Sequence, residues 1–136
     1  MSEQAKATAR KFFEEQDRLR GGPADELCAA GYTAVLGSFP AMDFDGHTAF
    51  AAALYASFPD LCHVIEEIVA EDDRVATRFR LLGTNTESFM GQPPTGKRID
   101  VRCLALMHVS SGQVAELHGA FDQLGMMQQI GALPGH

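Results

Sequence analysis

Basic charge is scarce in this sequence. Against 18 Asp and Glu stand only 11 Lys and Arg, a formal net charge of −7 over 136 residues. A surface of that sign repels phosphate, which argues against nucleic acid or an anionic membrane as partner. Cysteine is scarce too. Cys28, Cys62 and Cys103 are odd in number, far apart and form no C-x-x-C pair, so they read as free thiols in a reducing compartment rather than as a disulfide framework or zinc site. No apolar run reaches the ~20 residues that a membrane span needs, and MSEQAKATARKFFEEQ has no apolar stretch of signal-peptide length. A cytoplasmic protein is expected. There is no G-x-G-x-x-G or P-loop for a nucleotide, no G-x-S-x-G elbow, and no H-x-x-x-H or H-x-H for a metal. Neither a metal nor an organic cofactor is expected.

What is present fits one globular domain over residues 1–136, with 46% hydrophobic and 21% charged residues. The first half carries helical periods. Residues 3–20 make an amphipathic helix, with Ala5, Ala9, Phe12, Phe13 and Leu19 as its apolar stripe and Glu14, Glu15, Asp17 and Arg18 largely outside. Gly21-Gly22-Pro23 ends it. A short second helix is expected over residues 24–30, a β-leaning segment over 32–39 and a third helix over 47–58, ended by Pro59-Asp60. From there the period changes to two. Strands are expected over residues 63–71, 75–84, 97–109 and 113–121, with turns at Asp72-Asp73 and Ser110-Ser111-Gly112 and a Gly/Pro-rich loop over 90–96. In the second of these strands Val75, Thr77, Phe79 and Leu81 face one way. Residues 122–130 close the chain as a helix stopped by Gly131 and Pro134. Helices followed by a run of strands predict an α+β domain, its helices packed on a curved antiparallel sheet and enclosing a small apolar space.

Ionisable side chains cluster late. If the last strand alternates regularly, Val114, Glu116, His118, Ala120 and Asp122 share one face. The other face, with Ala115, Leu117, Gly119 and Phe121, is apolar as well, so pattern alone leaves the direction open: a solvated surface or a polar set inside a pocket. His118 and Asp122 lie about 13 Å apart along a straight strand, too far for a direct hydrogen bond. His108 sits on the preceding strand on the same face as Arg102, Leu104 and Leu106.

The run IEEIVAEDDRVATRFRLLGTNTESFMGQPPTGKRIDV, followed by SSGQVAELHGAFDQLGMMQQIG, resembles the SnoaL-like polyketide cyclase family of the nuclear transport factor 2-like superfamily, to which ketosteroid isomerase is related. The resemblance is close over residues 55–133 and loose over the N-terminal helices. It implies a helix-capped, strongly curved antiparallel sheet forming a cone-shaped α/β barrel, and an intramolecular aldol condensation without metal or organic cofactor. It puts the acid/base aspartate at Asp122, facing into the pocket. A desolvated carboxylate there would be a fitting base for a proton next to a carbonyl. The chain departs from the family at His118, where tryptophan is usual, at Asn85, where a Gly-Thr-His triplet is usual, and at His108, where arginine is common. The resemblance thus implies Asp122 as the catalytic acid/base, and the two departing histidines, His118 or His108, are further catalytic candidates that would assist it. Asn85, Glu116, Arg102, Phe58 and Met90 are substrate-binding candidates, and a small apolar or aromatic carbonyl compound is the expected ligand. Two other readings stay open, a non-catalytic ligand-binding module and a mainly structural protein. A homo-oligomer, dimer or tetramer, is expected through a sheet face carrying Val101, Cys103 and Ala105.

Overall fold

The computed structural model describes residues 2–131; Pro134, expected to stop the last helix, lies outside the described residues. Helix α1 (Ser2–Leu19) buries Ala5, Ala9, Phe12, Phe13 and Gln16, recurring every three or four positions. The stripe therefore ends on Gln16, whereas Leu19 is 48% exposed. Gly22 follows because the chain passes tightly over the next helix: a Cβ there would lie 2.6 Å from Thr48 Cα. The expected helix over residues 24–30 is reduced to one 3-10 turn, Asp25–Leu27, from which the chain enters β1 (Cys28–Leu36). Helix α2 (Phe44–Ser57) starts earlier than expected because the Asp43 carboxylate caps it, accepting the Gly46 N–H at 2.8 Å.

Strands β2 (Cys62–Glu71), β3 (Arg74–Thr84), β4 (Arg98–Ser110) and β5 (Gln113–Phe121) follow, then helix α3 (Gln123–Gln129). The sheet order is β1-β5-β4-β3-β2. Pairs among β2 to β5 are antiparallel, as expected; β1 instead adds to β5 in parallel, so the sheet is mixed. The architecture is α+β, a curved, unclosed five-stranded sheet with helices over its concave side. The core lies between α1, α2 and that side: Phe12, Phe58, Leu61, Val75, Ile99, Val101, Met107 and Val114 are all at most 2% exposed. In β3, Val75, Thr77, Phe79 and Leu81 point inward, as the alternation predicts.

Strand β4 sends Ile99, Val101, Cys103, Ala105, Met107 and Val109 inward. Val101, Cys103 and Ala105 thus belong to the core rather than to an oligomer face. The reason is the composition of the alternate positions: Arg98, Asp100 and Arg102 carry charges that burial would leave unpaired. Strand β5 does not alternate regularly. Ser110 pairs with Gln113 and Val109 with Val114 across the two-residue turn Ser111-Gly112, whose φ values of +52 and +75 suit a tight hairpin. Then the register shifts by one residue, so that His108 pairs with Glu116 and Leu106 with His118. This bulge lets Val114 and Leu117, at odd spacing, both be buried, at 0% and 4% exposure. Beyond it every even-numbered side chain of β5 turns to the convex face.

The segment between β3 and β4 is organised by Asn85, 1% exposed. Its amide donates to Glu87 O at 2.8 Å and its carbonyl accepts the Thr95 N–H at 3.0 Å. Asn85→Ala would leave those partly buried backbone groups without this partner. The expected cost is about 3 kcal/mol in global stability, read as a lower urea midpoint at unchanged m-value.

Candidate functional site

Between the helices and the concave side of the sheet lies a cavity of about 220 Å³. Its wall is mainly apolar: Phe13, Leu54, Leu61, Phe79, Leu81, Leu117, Phe121 and Met126 among others. Five neutral-polar or ionisable side chains interrupt it, Gln16, His47, Tyr55, His63 and Gln123. A small apolar space with a few convergent polar groups is the usual form of a small-molecule site.

Two of the five, Tyr55 and His63, belong to one network centred on Asp17. Its carboxylate accepts the Tyr55 hydroxyl at 2.6 Å, the His63 backbone N–H at 2.8 Å and the His63 Nδ1 at 2.8 Å. Asp17 was expected largely outside; it is instead drawn under the helix by partners on α2 and β2. Burial pushes its carboxyl up, but the hydrogen bonds and charge of His63, with the Tyr55 hydroxyl, outweigh that and hold it below the ordinary carboxylate value. The His63 ring packs between Phe13 and Phe79, with centroids 5.1 and 5.4 Å away. Arg20 stacks over the Tyr55 ring at 4.8 Å and donates to Leu61 O at 2.7 Å, closing that end of the network. Gln16 and Asp17 lie one helical turn beyond Phe12 and Phe13, so the i, i+4 rows already pointed at them.

The second imidazole, His47, is 4% exposed. It stacks on Tyr32 with ring centroids 5.9 Å apart and holds the Tyr32 hydroxyl at 2.8 Å from Nδ1. Burial, with the nearby His63 ring, pushes its pKa down to about 4, so it is neutral at ordinary pH. Burial raises the Tyr32 and Tyr55 hydroxyls well above their ordinary value. The thiols are not nucleophiles: burial pushes Cys28 and Cys103 up to about 12. Among the described residues no three His, Cys, Asp or Glu side chains form a group able to hold a metal ion.

Of the residues singled out from the sequence, only Met90 lines the cavity, from an exposed position. Asp122 is exposed and caps α3, its Oδ1 accepting the Gly125 N–H at 2.8 Å. The expectation that it faces into the pocket is therefore not met in this arrangement: the β5 bulge puts it on the convex parity, and the helix cap holds it there. His118 lies on the same convex face, 55% exposed, with Nε2 3.5 Å from Glu116. His108 pairs with Asp73 at 2.7 Å, near the turn between β2 and β3. Arg102 is exposed on the convex face, Phe58 is wholly buried behind Phe89, and Asn85 is spent on its loop. The structure brings together instead Asp17, Tyr55 and His63, and beside them His47 and Tyr32.

The depressed His47 value has a consequence for stability. The unfolded chain takes up the imidazole proton near pH 6.5 and the folded chain only near 4, so stability falls as pH drops through that window. The loss from this group approaches about 3 kcal/mol at pH 4. Urea unfolding at pH 7, 5 and 4 should show the decline in the native protein and a shallower one in His47→Gln.

The family model for SnoaL-like polyketide cyclase matches residues 6–130. A protein from Jannaschia sp. CCS1, provisionally assigned as a SnoaL-like polyketide cyclase, has 30% identity, covers 98% of this chain and 95% of its own, and superposes with a TM-score of 0.83. IdmH from Streptomyces antibioticus, provisionally assigned as a polyketide cyclase, has 26% identity over 94% of this chain and 99% of its own, with a TM-score of 0.81. AclR from Streptomyces galilaeus, provisionally assigned as a hydroxylase, shares the fold at a TM-score of 0.87 with 22% identity, over 98% of this chain and 100% of its own. No curated protein matches by sequence. No helix among the described residues is long and apolar enough to cross a membrane. The chain belongs to the SnoaL-like polyketide cyclase family.

Proposed function

We propose that this chain is a cofactor-independent acid/base enzyme that forms an enolate from a small, largely apolar carbonyl compound, as in an aldol cyclisation. The observation that carries the reading is the largely apolar cavity whose few polar groups include two imidazoles. A site that excludes water strengthens every donor aimed at a developing oxyanion. Asp122 is the general base of this reading. Its support is the match to the family's aspartate position and its chain neighbours, Phe121 and Gln123, which both line the cavity. To act, its carboxylate exchanges the Gly125 N–H for the substrate proton. His118 and His108 lie on the convex side, outside the cavity lining.

The position of Asp122 outside the cavity favours a second reading, a binding module of the same fold. The two separate in one experiment. Hydrogen–deuterium exchange next to the carbonyl of 2-tetralone, followed by NMR, should be catalysed by the native protein. Asp122→Asn keeps the helix cap and should lower the exchange rate about 100-fold or more. Exchange undiminished in Asp122→Asn would remove Asp122 as the base, and binding of 2-tetralone without exchange would select the module.

A homo-oligomer belongs to the same proposal, through the convex face. Val69, Ala76, Leu106 and His118 lie side by side across four strands, and Leu104 extends the row. Val69, Leu104 and Leu106 are each 46–58% exposed, a patch that a second copy would cover. Light scattering should report a dimer for the native protein and a monomer for Leu104→Lys combined with Leu106→Lys.

A further inference from the structure

We propose that His63, held by Asp17, is a catalytic residue of this site that binds an enolic or phenolic hydroxyl of the ligand and takes its proton. The inference rests on the reading of the cavity as a substrate site and names the chemical class that site accepts. An ionised carboxylate only accepts hydrogen bonds, so the 2.8 Å contact between Asp17 Oδ1 and His63 Nδ1 requires a proton on Nδ1. In the neutral ring, Nε2 then carries the lone pair. Among the described residues no protein group bonds Nε2, nor is it an enclosed orphan. The ring lines the cavity between Phe13 and Phe79. The side chain is 10% exposed, so its surroundings are largely dry.

The carboxylate cannot swing away. The Tyr55 hydroxyl holds Oδ1 at 2.6 Å and the His63 backbone N–H holds Oδ2 at 2.8 Å. The His63 N–H fixes the Asp17 plane relative to the strand that carries the imidazole, and the Tyr55 hydroxyl fixes it relative to α2. In the step, the ligand O–H bond breaks and its electron pair stays on oxygen as enolate or phenolate. The proton goes to Nε2, and the resulting imidazolium is neutralised by Asp17 across the Nδ1–H bond. No other reactant is needed, and the proton returns to oxygen when the step reverses. Asp17 is a positioning residue here, because it acts through the ring.

The test uses 4-nitrophenol, whose phenolate is yellow, beside 4-nitrotoluene, which has the same shape but no acidic hydroxyl. Both are added to the native protein, His63→Gln and Asp17→Asn at a pH where free nitrophenol is mostly neutral. The native protein should bind both and hold nitrophenol as phenolate. His63→Gln should bind both while its phenolate fraction drops at least about tenfold, and Asp17→Asn should show a smaller drop in the same direction. Bound nitrophenol that stays neutral on the native protein, or phenolate retained in His63→Gln, overturns the proposal. So does binding of nitrotoluene but not nitrophenol. If neither compound binds, the cavity reading itself fails and this one falls with it. Should either variant fold poorly, ¹⁵N NMR of the native ring decides alone. Nδ1 protonated with Nε2 bare is required, and the opposite tautomer overturns the assignment.

Discussion

One carboxylate holds the roof of the cavity to its wall. Asp17 stands on α1, Tyr55 on α2 and His63 on β2, and all three meet at its two oxygens. Taking such a charge partly out of water is unfavourable, and three hydrogen bonds to an ionised acceptor offset that cost. Removing any one partner costs more than the bond contributed, because what remains is an underpaired buried charge. The network is also directional, unlike the Phe12 and Phe13 packing around it. It therefore sets the distance between the two helices and the edge strand, and with it the width of the space beneath. The Arg20 guanidinium, lying on the Tyr55 ring and bonded to Leu61 O, seals the same corner from solvent.

Much of this architecture was legible in the sequence because charge and period agreed. In β3 and β4 one set of alternate positions is charged and the other is not, so only one orientation avoids burying Arg and Asp. The helices likewise announce themselves by the spacing of phenylalanine and alanine. The first part of strand β1 did not, because Cys28-Ala29-Ala30 has the local preference of a helix, whereas the β-leaning segment from Tyr32 matches its second part. Its conformation is decided by a parallel partner, Val114, far along the chain. No local window contains that information.

The site was less legible, for two separate reasons. The first is a single residue of register. Strict alternation puts Val114, Glu116 and His118 on one face, yet Val114 is buried and His118 exposed. The bulge arises because Val114 and Leu117 both pack inward, and a regular strand cannot bury residues three apart. That one extra residue sent the ionisable set of β5 to the convex side, together with Asp122 beyond it. The second reason is sequence distance. Asp17 finds its partners 38 and 46 residues away. Beside Glu14, Glu15 and Arg18 it reads as part of a solvated face. Only its place one turn beyond Phe13 distinguishes it from them.

The cavity is asymmetric in a way that constrains what it can hold. Strands β3, β4 and β5 contribute Phe79, Leu81, Cys103, Ala105, Leu117 and Phe121, none of which is charged, and the Cys103 thiol is kept protonated by burial. The imidazoles and the Tyr55 hydroxyl come from α2 and the edge strand β2, with Gln16 beside them from α1. A ligand oxygen placed against β3, β4 or β5 would lose its water without a hydroxyl, amide or imidazole partner from those strands; Gln123, on α3, is the remaining polar side chain of the lining. A ligand with an apolar body and oxygens grouped at one end avoids that loss in a single orientation. That orientation would turn its oxygens to the helices and to His63, the base proposed above, which Asp17 holds from behind. Under the proposed function, the fold would select the pose before any chemistry begins, with the same residues that hold the helices to the sheet.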